Sequence, residues 1–399
     1  MLVGIVGKPS CGKSTFFKAS TLADVEIANY PFTTIKPNHA VGFVRVDCVD
    51  KEFGKQCKPR MGYCVEHTRF VPVDMLDVAG LVPGAHEGLG MGNQFLDDLR
   101  QADVLVHVID VSGSVNEKGE PVPALSYDPA NDIRFLEEEL DYWYLGVFKK
   151  VWEKFTRTTQ AAHEDVNKAI SKQFSGLRVT ENMVKDTLKM LSLHEKPLVN
   201  WTEEELFSVV RDFRRKTKPL LIAANKVDVP GAENNFERLR KDFPSHMIIP
   251  CSAESELALK EAAKHGLIDY IPGAKDFRLK DESKLTDRQK KALEFIRTNV
   301  LLRFGSSGVQ ETLDRAVFDL LGYVAIYPGG VGKLEDSEGR TLPDCFLMPK
   351  GTTALDFAYK LHTDFGKNFV KAMNVKTRMP IGKDVVLENR SVIEILASK

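Results

Sequence analysis

Residues 2–15 read LVGIVGKPSCGKST, from Leu2 to Thr15. The opening run is apolar and closes on a glycine, the pattern of a buried parallel strand. Gly7-Lys8-Pro9-Ser10-Cys11-Gly12-Lys13-Ser14 then matches G-x-x-x-x-G-K-S, and a helix is expected from Lys13 to about Thr21. A strand, a glycine loop and a helix N-terminus together make a phosphate cradle. The glycines let the backbone wrap with its N–H groups turned inward, and the helix end adds partial positive charge. Lys13 is expected to reach the β- and γ-phosphates and Ser14 to hold Mg²⁺. Lys8, Pro9, Ser10, Cys11 and Thr15 complete the expected wall.

Further motifs extend this site. Asp77-Val78-Ala79-Gly80 closes the strand VPVDMLDVAG, which places Asp77 beside the phosphate loop in a doubly wound sheet. Asp77 is expected to bind Mg²⁺, directly or through water. The Gly80 N–H can contact a γ-phosphate, and glycine lets the backbone swing as that phosphate leaves. Asn225-Lys226-Val227-Asp228 follows the apolar run PLLIAA. The carboxylate of Asp228 can accept two hydrogen bonds from the N1–H and N2–H₂ edge of guanine, a donor pair that adenine lacks. The stem of Lys226 can lie along the base, and Asn225 can tie this loop to the phosphate loop. Ser252 and Ala253, after the next strand, can offer backbone N–H groups to the guanine oxygen.

The rest of the chain fits an α/β fold with a mostly parallel sheet. Strands are expected near 40–48, 69–77, 104–111, 219–224 and 247–250. Residues 131–215 interrupt that rhythm with a long, charged, helical pattern, read as a helical insertion. Its Trp143, Tyr144, Phe148 and Trp152 recur at near-helical spacing and are expected to form an internal helix–helix interface. The core domain is therefore assigned to 1–130 and 216–285, with a helical linker at 286–321. From 322 to 399 short strands are expected at 323–327, 344–348, 385–387 and 392–396. TTALDFAYKLH forms an amphipathic helix among them, giving a small α+β domain.

The chain has 399 residues, 43% hydrophobic, with a formal net charge of −1. A global polyelectrolyte attraction to nucleic acid is not indicated. No apolar run approaches the roughly 18 residues of a membrane span. Without a secretory pattern, a cytoplasmic location with free thiols is expected. Cys48, Cys57, Cys64 and His67 could in principle reach one zinc ion. Their long, irregular gaps match no ligand-knuckle pattern, so ordinary loop and strand cysteines are expected. His107, within an apolar strand, reads as a core histidine.

NYPFTTIKPN (29–38), DVAGLVPGAHEGLGMGNQFLDDLRQAD (77–103) and the C-terminal segment resemble the Obg-related GTPases, specifically the YchF-like branch in its archaeal form. The resemblance implies a P-loop G domain, a coiled-coil-like helical insertion and a C-terminal TGS domain of β-grasp fold. It places Thr33 and Thr34 in the switch I loop, with Thr34 on Mg²⁺ in the GTP state. Many such relatives have a degraded guanine motif and accept ATP. The intact NKVD here points to GTP. Where Ras-type GTPases carry a water-orienting glutamine, this chain has Leu81, so slow intrinsic hydrolysis is expected. His86 and Glu87 are candidates to assist. Serine at position 10, where some relatives have asparagine, speaks against potassium dependence.

Residues 278–303 hold eight Lys/Arg against four Asp/Glu, and 351–383 hold six against two. Local basic surface of this kind can bind a phosphate backbone. With the resemblance, it suggests a ribosome or RNA partner for a GTP/GDP switch in which residues 28–38 and 80–95 reorder. A metabolic P-loop phosphotransferase is the alternative, but no signal for an acceptor pocket or lid is present.

Overall fold

The computed structural model describes residues 1–21, 38–78 and 99–398. Its strands, in chain order, are β1 (Leu2–Val6), β2 (His39–Asp47), β3 (Tyr63–Val65), β4 (Thr68–Asp77), β5 (Val104–Asp110), β6 (Leu220–Asn225), β7 (Met247–Pro250), β8 (Ile268–Asp269), β9 (Arg278–Leu279), β10 (Tyr323–Pro328), β11 (Phe346–Pro349), β12 (Phe369–Asn374), β13 (Met379–Ile381) and β14 (Ser391–Ala397). Two compact units emerge: Met1–Phe17 with Leu76–Ala253, and Lys18–Met75 with Glu254–Lys399.

In the first unit β1, β5, β6 and β7 are parallel neighbours in that order. The register pairs Val6 with His107, Asp110 with Asn225, and Ala224 with Pro250. All their carboxyl ends thus lie along one edge, where an open α/β sheet binds its ligand. The Val78 N–H donates to the Ile5 carbonyl at 3.0 Å, bringing Asp77 beside the end of β1. Every residue of β5 is buried, which explains why its sequence is a continuous apolar run. His107 is buried with it, and burial pushes its imidazole down to about 3. It is a neutral core residue, as expected.

Helix α1 (Lys13–Thr21) follows the phosphate loop. The helical region comprises α2 (Ala130–Ala161), α3 (Val166–Gln173), α4 (Glu181–Met190) and α5 (Glu203–Thr217). These helices share one core, in which Trp143, Tyr144 and Phe148 are buried with Phe174 and Phe213. Phe148 and Phe174 stack with centroids 3.6 Å apart, and Trp152 packs against Trp201. The aromatic residues form an internal interface, as their spacing foretold. A capping box of Thr202 and Glu205 starts α5.

In the second unit β3 pairs antiparallel with β4. A five-stranded sheet of order β11-β10-β14-β12-β13 mixes one parallel pair, β10 with β14, among antiparallel ones. The helix Ala354–Leu361, capped by Thr353 and Asp356, packs Phe357 against Ile326, Met348 and Ile393. This is the expected β-grasp arrangement. Residues 385–387 are not a strand: Val386 makes only an isolated bridge to Thr353, and Val385 and Val386 are exposed. β12 and β13 escaped the sequence reading because their outward residues, Val370 and Met379, are apolar and blur the alternation. Among the described residues no helix is long and apolar enough to cross a membrane.

Candidate nucleotide site

The phosphate loop turns on left-handed backbone. Ser10 has φ 63° and Gly12 φ 91°. A Cβ on Gly12 would strike the Asn225 side chain, and one on Gly7 would strike the Val108 carbonyl, so both close approaches require glycine. The Phe16 N–H bonds to the Gly12 carbonyl at 2.9 Å and opens α1 directly behind the loop. Lys13, the first residue of α1, and Asp77, the last of β4, form a direct ion pair. Ser14 lies at the solvent-exposed start of the helix, beside Thr15. The Ser14 hydroxyl and the Asp77 carboxylate are oxygen donors, the chemistry that a hard divalent cation takes.

Asn225 joins three loops. Its amide nitrogen donates to the Cys11 carbonyl at 3.0 Å, and its amide oxygen accepts from the Ala253 N–H at 3.0 Å. The Val227 N–H donates to the Cys251 carbonyl at 3.1 Å, holding the loop that carries Asp228 against the loop of Ser252 and Ala253. The phosphate loop, the NKVD loop and the Ser252–Ala253 loop are thus one connected framework. Cys11 is fully buried, and burial pushes its thiol up to about 11, so it is a packing residue without nucleophilic character.

Two lysines are held in ways that the sequence did not disclose. The Lys226 ammonium lies 2.8 Å from Asp110 and donates to the Ser10 carbonyl at 3.1 Å. Asp110 is fully buried. Burial opposes its ionisation, but Lys226, Ser112 and Ser114 hold its pKa below the ordinary value. The Lys8 side chain is buried. It lies against Asp132 at 2.9 Å and the Val115 carbonyl at 2.8 Å, and 3.9 Å over the Tyr127 ring. Asp110 was legible by the rule that found Asp77, since it too ends an apolar strand at the binding edge. Asp132 and Tyr127 lie far along the chain in polar segments and carried no such signal. Thr33, Thr34, Gly80, Leu81, His86 and Glu87 lie outside the described residues.

Residues 2–136 match the family described as 50S ribosome-binding GTPase. Residues 223–330 match the Obg-like GTPase YGR210-like, G4 motif-containing domain, and residues 336–397 match the TGS domain. The chain is 44% identical over 398 residues to an uncharacterized GTP-binding protein of Methanocaldococcus jannaschii, covering 100% of this chain and 99% of that one. It is 28% identical over 387 residues to the ribosome-binding ATPase YchF of Escherichia coli O157:H7, covering 93% of this chain and 87% of that one. The crystal structure of a GTP-binding protein from Pyrococcus horikoshii OT3 matches with a TM-score of 0.78 and 36% identity over the whole of both chains. The chain belongs to the Obg-related P-loop GTPases, a GTP-binding nucleotide hydrolase of the YchF-like branch with a C-terminal TGS domain.

Proposed function

We propose that this GTPase is a Mg²⁺-dependent switch, slow when alone, that acts on the ribosome or its RNA from the cytoplasm. The observation that carries the reading is Asn225, which links the phosphate loop to the Ser252–Ala253 loop through two hydrogen bonds of 3.0 Å. A framework of this kind lets occupancy of the guanine end and order at the phosphate end depend on each other. In this reading Asp228 accepts from the guanine edge, and Ser252 and Ala253 offer N–H groups to its oxygen. Lys13 neutralises the β- and γ-phosphates, and Ser14, Thr34 and Asp77 hold the metal. Mg²⁺ supplies charge neutralisation of the transferring phosphoryl group. Gly80 and His86 belong to the segment that responds to the γ-phosphate.

Slow hydrolysis rests on Leu81, since an alkyl group cannot orient the attacking water. The ribosome or RNA assignment draws on the basic segments and on a relative named a ribosome-binding ATPase. The two segments differ. In 278–303, Lys280, Lys284, Lys290 and Arg297 all have carboxylates within 4.0 Å. In 351–383, Lys360, Lys367, Lys371, Arg378 and Lys383 have no ion-pair partner among the described residues, so the TGS domain carries the better candidate surface.

Single-turnover hydrolysis of GTP and of ATP, with and without ribosomes, tests the reading. GTP should be preferred, and ribosomes should accelerate its loss. A clear preference for ATP would overturn the role of Asp228. Co-sedimentation that is identical with GTP analogue and GDP would overturn the switch.

A further inference from the structure

The segment between β2 and β4 carries little apolar side chain yet is tightly folded. Its three cysteines come from different elements: Cys48 directly after β2, Cys57 in the connecting loop and Cys64 on β3. The Cys48 and Cys57 sulfurs are 3.4 Å apart, and all six cysteines of the chain are free thiols. The Cys64 sulfur is 3.9 Å from an oxygen of Asp50, which is fully buried. One ligand atom from each of Cys48, Asp50, Cys57 and Cys64 lies within 4.8 Å of all the others. Tetrahedral zinc with Zn–S of about 2.3 Å spaces its sulfurs about 3.8 Å apart, inside that range.

The surroundings also suit a cation–thiolate centre. Asp50 accepts from the Cys57 N–H at 2.8 Å and lies 2.9 Å from His67 Nδ1, so its carboxylate is aimed from two sides. The Cys48 N–H bonds to the His67 carbonyl at 2.8 Å, closing the loop on itself. Gly62, at φ 73°, makes the turn into β3, where a Cβ would strike the Phe70 carbonyl. Arg69 is 1% exposed and its NH1 lies 3.7 Å from the Cys57 sulfur. Its other partners are the Leu342 and Pro343 carbonyls, and its Nε has none. Among the described residues no carboxylate balances this buried guanidinium, and a buried charge without a counter-charge is costly.

We propose that Cys48, Cys57, Cys64 and Asp50 hold one structural Zn²⁺, with His67 positioning the Asp50 carboxylate and Arg69 balancing the charge. Three thiolates select a borderline-soft metal over the hard Mg²⁺ of the nucleotide site. On binding, the three thiols lose their protons to solvent. The centre of one Zn²⁺, three thiolates and one carboxylate then carries two negative charges, one of them met by Arg69. The ion ties down the loop whose Lys58 and Arg60 N–H groups bond to the Thr341 and Pro343 carbonyls at 2.9 and 2.8 Å. It thereby sets the surface against which residues 341–343 rest.

The test uses the full chain purified under reducing conditions without chelator. Elemental and native mass spectrometry should find about one zinc per chain. Cobalt substitution should produce thiolate-to-metal charge-transfer absorption and tetrahedral d–d bands. Cys48→Ser and Cys64→Ser should lose the metal, whereas Cys345→Ser should keep it. His67→Ala should weaken metal affinity roughly 10–100-fold while retaining the charge-transfer bands, as a positioning residue would. Wild-type protein that takes up neither zinc nor cobalt overturns the proposal, and so does a Cys48–Cys57 disulfide under those reducing conditions. These wild-type measurements decide the matter even if the serine variants fail to fold.

Discussion

Asn225 and Asp228 stand three positions apart in one motif but do different physical work. Asn225 is buried and uses both ends of its amide, so replacing it strands a carbonyl and an N–H. Asn225→Ala should cost about 2–4 kcal/mol of stability, read as a lowered urea midpoint, because two buried partners lose their bonds. Asp228 is only partly buried and, among the described residues, has no hydrogen-bond or ion-pair partner that its loss would strand. Asp228→Ala should leave the urea midpoint nearly unchanged. It should weaken GDP by about 3 kcal/mol, roughly a hundredfold, through two lost charge-assisted bonds. Isothermal titration with GDP and ADP checks this, and equal losses for both nucleotides would reject a selective role.

At the scale of elements, the junction of α2 and α5 is an ionic cluster. Arg214 is 2% exposed, 2.7 Å from Asp141 and 3.1 Å from Glu137. Arg211 reaches Asp141 at 3.1 Å, and His246 reaches Glu137 at 3.3 Å. Arg214→Ala should cost about 3 kcal/mol, because it takes from the buried Asp141 its shorter ion pair and leaves it only the half-exposed Arg211. Combining Arg214→Met with Asp141→Leu should recover most of that loss, which chemical denaturation would show. The same cluster should be acid-sensitive. Burial opposes ionisation of Glu137, but His246 and Arg214 outweigh it and hold the carboxyl at about 2, below its ordinary 4.5. A depressed folded value favours the native state above pH 4.5, and this contribution is lost as pH falls through about 2. Wild-type stability should decline over that window, and Glu137→Gln should flatten the decline.

For the whole molecule, the unpaired lysines and arginine of the TGS domain are where a phosphate backbone would register. Replacing Lys371, Arg378 and Lys383 with Gln should weaken RNA or ribosome association. It should also lower the slope of log affinity against log salt by about 2–3, with GDP affinity unchanged. A slope that does not move would place the partner elsewhere. Much of this protein was legible in its sequence because local physics sufficed. The glycine loop, the capped helices and the continuous apolar strands each announce themselves over a few residues. The internal role of Trp143, Tyr144, Phe148 and Trp152 was legible for the same reason. Other features depended on chain segments meeting from far apart. Lys8 resembles a phosphate ligand until Asp132, 124 positions later, is seen to hold it. Val385 and Val386 have strand composition but find no ladder. Cys48, Cys57 and Cys64 follow no metal spacing, yet the β2–β4 turn gathers them around Asp50. The phosphate and guanine loops can be read from the chain alone, because their chemistry is carried by consecutive residues. The tertiary structure alone decided which charges are already spent on one another and which sulfurs meet, because burial and pairing are properties of distance in space.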